Sequence, residues 1–190
     1  MGESKQRRLR ERATLLKVLD LWSKEPSAGE METLAAIRSL PIVGVERDPA
    51  DRLAFMRMDE GLCHSNCAWF EQNDPSRAWK AITGWIVDSA TGNYILHAVI
   101  RSSRGEYRCI TPMPYVSATH FDFIPDPCII TTHYDDNSFH HLRNGHVLGV
   151  GVRPDPVKTI ADIEAARARI EAGDDPIKVL HSLSNARTKS

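Results

Sequence analysis

The chain has 190 residues and a formal net charge of −1, enough length for one compact domain with a sizeable core and no general attraction to nucleic acid or anionic membrane. Four unevenly spaced cysteines do not make a disulfide framework. No stretch has the apolar length of a membrane span and the charged start lacks a signal-peptide core, so the expected location is a reducing cytoplasm.

From Lys5 to Lys24, Leu9, Ala13, Leu16, Leu19 and Leu21 recur at nearly helical spacing. The adjoining basic run KQRRLRER reads as the solvated face of that helix rather than a nucleic-acid contact. Ser27 followed by Glu30 is a capping box that opens a second helix over 28–40. Pro41 and VERDPADR read as a connection, so residues 1–50 form a helical arm packed on a core over 51–153.

The core opens with a short helix over 62–72, stopped by the turn formers NDPS. Residues 79–87 and 94–101 are rich in β-branched and aromatic side chains and read as strands separated by Thr91-Gly92-Asn93. A third strand over 107–110 completes an antiparallel meander, and 121–124 and 129–132 add short strands. The histidine-rich HYDDNSFHHLRNGH is expected as a loop over one sheet edge, with GVGV at 149–152 as ordinary strand or turn. Residues 155–171 return to helix, with Ile160, Ile163, Ala166 and Ile170 on one face and Gly173 after its end. A second short helix over 176–183 precedes a polar tail, so 154–190 form the C-terminal part. The order helices, strands, helices predicts an α+β fold: a helix followed by an antiparallel sheet, with flanking N- and C-terminal helices.

The chemistry concentrates in GLCHSNCAWF and NYILHAVI. Cys63 falls in the first turn of its helix, where orphan amides and the helix dipole favour a thiolate and can hold an oxyanion. His97 alternates with Ile95 and Val99 on one strand face, and the hairpin register places Cys109 or Ile110 opposite it. A nearby imidazole can take a thiol's proton, so Cys63 and His97 are candidate nucleophile and base. Cys67, one turn on, packs inward.

The string CHSN, GW, LHAV, CITP and FIPD resembles a family of uncharacterised bacterial proteins with the pattern C-H-x-N, G-W, F-H-A-V, D-[IL]-T-P and F-x-P-D. Its order of Cys, His and Asp on helix, strand and strand is similar to papain-like and transglutaminase-like enzymes. It also resembles the protein N-terminal glutamine amidohydrolases. The resemblance covers residues 63–126 and implies a cysteine-dependent amide hydrolase acting on a peptide bond or a glutamine side chain. It makes Cys63 the nucleophile, His97 the general base and Asn66 a supporting polar residue. This chain departs from the pattern at Cys109, which stands where the family has Asp, and a thiol does not orient a histidine as a carboxylate does. Either Asp122 or Asp126 substitutes, or the site works as a dyad, or catalysis has been lost.

Two other readings stand beside the hydrolase: a Cys3His zinc shell of Cys63, Cys67, His97 and Cys109, and a non-catalytic binding or adaptor domain that keeps an enzyme-like core, with or without that zinc. His133, His140, His141 and His146 read as solvated rather than ligating, and the adjacent Asp135 and Asp136 as turn residues. Trp69, Trp79 and Trp85 lie near the expected site, with core packing the expected fate of at least two.

Overall fold

The computed structural model describes residues 2–89, 91–113, 118–133, 139–176, 178, 179 and 182. The elements run α1 (Gly2–Trp22), α2 (Ala28–Ile37), β1 (Val43–Arg47), α3 (Ala50–Phe55), α4 (Cys63–Asn73), β2 (Trp79–Val87), β3 (Tyr94–Ser102) and β4 (Tyr107–Cys109). They continue with β5 (His120–Pro125), β6 (Ile129–His133), β7 (Phe139–Arg143), β8 (His146–Val147), β9 (Gly151–Val152) and α5 (Pro156–Glu171). The fold is α+β with flanking helices. It divides into two compact units, one of residues 1–28, 89–93 and 153–190, the other of 29–88 and 94–152. This division differs from 1–50, 51–153 and 154–190 because β1, expected as a connection, is a sheet strand, and α2 packs on that sheet.

The terminal unit pairs α1 with α5. Asp155 caps α5 by accepting from the Lys158 amide at 2.9 Å, and Pro156 follows at the first helical position, where its missing N–H costs nothing. The α5 face of Ile163, Ala166 and Ile170 is buried against Leu19 and Val179. Arg153 donates from Nη1 to the carbonyls of Trp22 and Lys24 at 2.8 and 2.6 Å, satisfying acceptors at and beyond the end of α1. The expected helix over 176–183 lies partly outside the described residues.

The other unit is built on a closed five-stranded barrel. Around it the order is β2, β5, β1, β4, β3, and β3 pairs back to β2 over Trp79↔Ser102 through Val87↔Tyr94. The sheet is not wholly antiparallel as expected, since β1 runs parallel to β4 at Glu46↔Arg108 and Arg47↔Cys109. Strand alternation sends Val45, Ile86, Val99, Cys109 and Phe123 into one buried cluster, the filling of this barrel. Gly84 is required where β2 passes from β3 to β5. A Cβ there would lie 2.2 Å from the Ile124 carbonyl oxygen and 2.7 Å from the Phe123 ring.

Side chains of opposite direction cover the barrel. α4 lays Cys63 and Cys67 against Ala98, Ile100 and Ile110, while α2 brings Leu34 and Ile37 to Trp85 and Ile124. The NDPS turn is held by Asp74, whose carboxylate accepts from the Ala78 and Trp79 amides at 2.8 and 3.2 Å. A second sheet, β6-β7-β8, takes in residues 133, 139–143 and 146 of the expected histidine-rich loop. The overlooked signal is Asn144-Gly145, whose φ of 48° and 80° suit the two-residue turn joining Arg143 to His146. Asp135 and Asp136 lie outside the described residues.

Candidate functional site

Cys63 is the first residue of α4, as the sequence indicates, but its thiol is covered. Burial raises its pKa, and this outweighs backbone hydrogen bonds from Ala98, His64 and its own amide, which favour the thiolate. The amide of Ala98 is available because the β3–β4 ladder comprises only Ile100↔Arg108 and Arg101↔Tyr107. The sulfur therefore sits against the main chain next to His97. No hydrogen bond joins it to the His97 ring.

His97 points into the barrel. Its Nε2 lies 3.4 Å from the Cys109 sulfur, and its ring meets Phe121 edge-on at 6.1 Å. Extending the β3–β4 register puts Cys109 across from Val99, so His97 meets it on the diagonal and not directly opposite as expected. Burial, with Arg47 nearby, lowers the His97 pKa to about 4, so the ring is neutral at pH 7. The Arg47 guanidinium also donates to the carbonyls of Met113 and Ala118, at 3.2 and 3.1 Å. Cys109 is itself held as a thiol: burial raises its pKa, and charge on Cys63 would raise it further.

The other candidates have different employment. Asn66 accepts from the Asp59 amide at 3.1 Å and donates to the Asp59 carbonyl and the Thr111 hydroxyl at 2.8 and 3.3 Å. It ties α4 to the segment before it and to the end of β4. Asp122 is exposed on β5, between the inward-facing Phe121 and Phe123, so it does not orient His97. Asp126 is buried but committed elsewhere. Its Oδ2 accepts from Trp85 Nε1 at 3.0 Å and from Arg143 Nε at 2.8 Å, and its Oδ1 from the Cys128 amide at 3.0 Å. Trp85 is thus core and Trp79 packs edge-on against Phe70, while Trp69 is half exposed.

The zinc shell is not assembled. Cys67 faces the outer cluster with Ile110, whereas His97 and Cys109 face the barrel interior. Among the described residues no group of three or more His, Cys, Asp or Glu is placed to hold a metal ion.

His64, passed over in the sequence, lies against His141 with ring centroids 3.9 Å apart and ring planes tilted by 38°. His141 is buried, not solvated as expected, and its Nδ1 is 3.0 Å from Thr131 Oγ1. His140 is exposed, and His146 Nε2 lies 3.4 Å from Glu32 Oε2. A cleft of about 620 Å³ opens beside His64, walled also by Ile82, Thr83, Ala98, Thr131 and Phe139 among others; Cys63, His97 and His141 are not part of its wall. No helix among the described residues is long and apolar enough to cross a membrane. No family model, curated protein or solved structure matches the chain.

Proposed function

We propose that this chain is a non-catalytic binding domain on a papain-like or transglutaminase-like frame, located in the cytoplasm, whose partner is a peptide or protein segment. The observation that carries the reading is the 3.4 Å approach of His97 Nε2 to Cys109 Sγ. This is where the resemblance calls for a carboxylate. A carboxylate would stabilise an imidazolium, but a buried thiol does not. The raised Cys63 pKa and lowered His97 pKa leave both groups neutral at pH 7, so the thiolate–imidazolium pair of a cysteine hydrolase does not form. The cleft beside α4 gives a partner a mostly apolar wall that also carries Thr83, Arg101 and Thr131, without exposing the thiol.

Two measurements test this. Wild-type protein and Cys63→Ala are expected to be indistinguishable in amide hydrolysis with glutamine and peptide substrates; loss of a measurable rate in Cys63→Ala would overturn the reading. Cys109→Asp is expected to raise the His97 pKa, followed by the pH dependence of its imidazole NMR signals. An unchanged titration would mean that residue 109 does not set the charge of His97.

A further inference from the structure

β2 has a neighbour along only part of its second edge. It pairs with β3 over its whole length, Trp79–Val87, but with β5 only at Gly84, Trp85 and Ile86. Before Gly84, no strand among the described residues pairs with that edge. The ladder fixes which groups face it. The Ser103 amide donates to the Ala78 carbonyl at 2.7 Å, so Trp79 and Ser102 form a non-hydrogen-bonded pair. The odd-numbered residues of β2 therefore turn their backbone groups away from β3. In agreement, the Thr83 carbonyl accepts from the Asp126 amide at 3.2 Å. Carboxylates meet two more of these groups. Asp74 accepts from the Trp79 amide at 3.2 Å, and Glu71, itself paired with Lys80, from the Ala81 amide at 2.7 Å. The Ala81 carbonyl and the Thr83 N–H have no partner among the described residues. Ala81, Ile82 and Thr83 line the cleft.

The charge of the cleft is also uncompensated. Among the described residues Arg101 and Asp126 line its wall, and Asp126 is matched by Arg143. Arg101 is exposed, lies over the Tyr107 ring at 5.7 Å and has no carboxylate partner among the described residues. The register Lys80↔Arg101 puts Arg101 on the same sheet face as Lys80 and hence Ile82.

We propose that the cleft takes an extended acidic peptide segment as an added strand on the β2 edge, with an Asp or Glu side chain of the segment paired to Arg101. The proposal rests on the peptide-binding reading above and names its ligand. An added strand supplies an N–H to the Ala81 carbonyl and a carbonyl to the Thr83 N–H, and its side chains alternate between two faces. Those on the Ile82 side share a face with Arg101, whose fork of donors fits a carboxylate. Those on the other side meet the α4 side of the cleft at His64, Ala68 and Ala98.

The test selects binders of the full-length protein from a random dodecapeptide display library and carries the best sequence forward as a synthetic peptide. The selected peptides should alternate apolar residues with Asp or Glu. Arg101→Gln, checked for folding by circular dichroism, should weaken binding at least about fivefold. Replacing the acidic side chains of the peptide by their amides should weaken binding to the wild-type protein but not further to Arg101→Gln. N-methylation of alternate peptide residues should abolish binding in one phase and spare it in the other, because only one set of N–H groups faces β2. Selection of peptides without acidic residues, unchanged affinity in Arg101→Gln, or the same response to both methylation phases would overturn the proposal and leave a peptide partner standing. Enrichment of no peptide over a protein-free control would remove both.

Discussion

Gly84→Ala is expected to destabilise the chain by more than about 3 kcal/mol, read as a fall in the urea midpoint. The added methyl would stand 2.2 Å from the Ile124 carbonyl oxygen and 3.0 Å from its carbon, and these are backbone atoms that no rotamer change moves aside. Relief requires separating β2 from β5 at Gly84↔Pro125 and Trp85↔Ile124, the pairing that closes this wall of the barrel. Phe123, which fills the interior beside Gly84, would shift as well. Gly44→Ala is the control: it lies in β1, has no atom within 4 Å of its would-be Cβ, and needs no positive φ. That substitution should change stability by less than about 0.5 kcal/mol or raise it slightly. Equal effects at the two glycines would show that close strand passage is not what Gly84 provides.

Asp126→Ala carries the second large effect, a loss of about 3–5 kcal/mol, because it leaves the Arg143 guanidinium buried without its counter-charge. Arg143 and Asp126 are 6% and 2% exposed, and the Trp85 indole N–H loses its acceptor in the same substitution. The cost lies in the orphaned partners more than in the lost attraction. The double variant Asp126→Leu with Arg143→Met should therefore recover most of the stability, with about 1–2 kcal/mol still missing from the unpaired indole. Simple addition of the two single losses in the double variant would contradict this, and a thermal unfolding series distinguishes the outcomes.

These two residues show what the sequence could and could not convey. The helix over 62–72, the strand pair around Thr91-Gly92-Asn93 and the capped terminal helix were legible because each follows from local spacing and turn chemistry. The barrel was not. Its closure depends on β1 pairing parallel with β4 and antiparallel with β5, across separations that no short window records. The same blindness applied to the motif residues. Gly84 and Trp85, Asn66, and Asp126 stand in the strings that suggest a hydrolase. Yet Gly84 serves a close strand passage, Trp85 and Asp126 a buried hydrogen bond, and Asn66 a clamp on Asp59 and Thr111. Cys109 stands where the resemblance expects a carboxylate, and its sulfur lies 3.4 Å from His97 Nε2. The consequence for ionisation depends on burial and on Arg47, neither of which a motif states. His64 was missed because its partner His141 lies in a strand of the histidine-rich segment read as a loop.

The central claim is that Cys63 and His97 are held neutral in the folded chain. The most direct measurement is the iodoacetamide alkylation rate of Cys63 against pH, read by mass spectrometry beside Cys128, the exposed cysteine of the same molecule. Cys63 should react more slowly than Cys128 at every pH, with no plateau below the free-thiol range near 8.5 and no change in His97→Ala. A Cys63 rate that levels off well below that range, and shifts when His97 is replaced, would reveal an activated nucleophile and contradict the account.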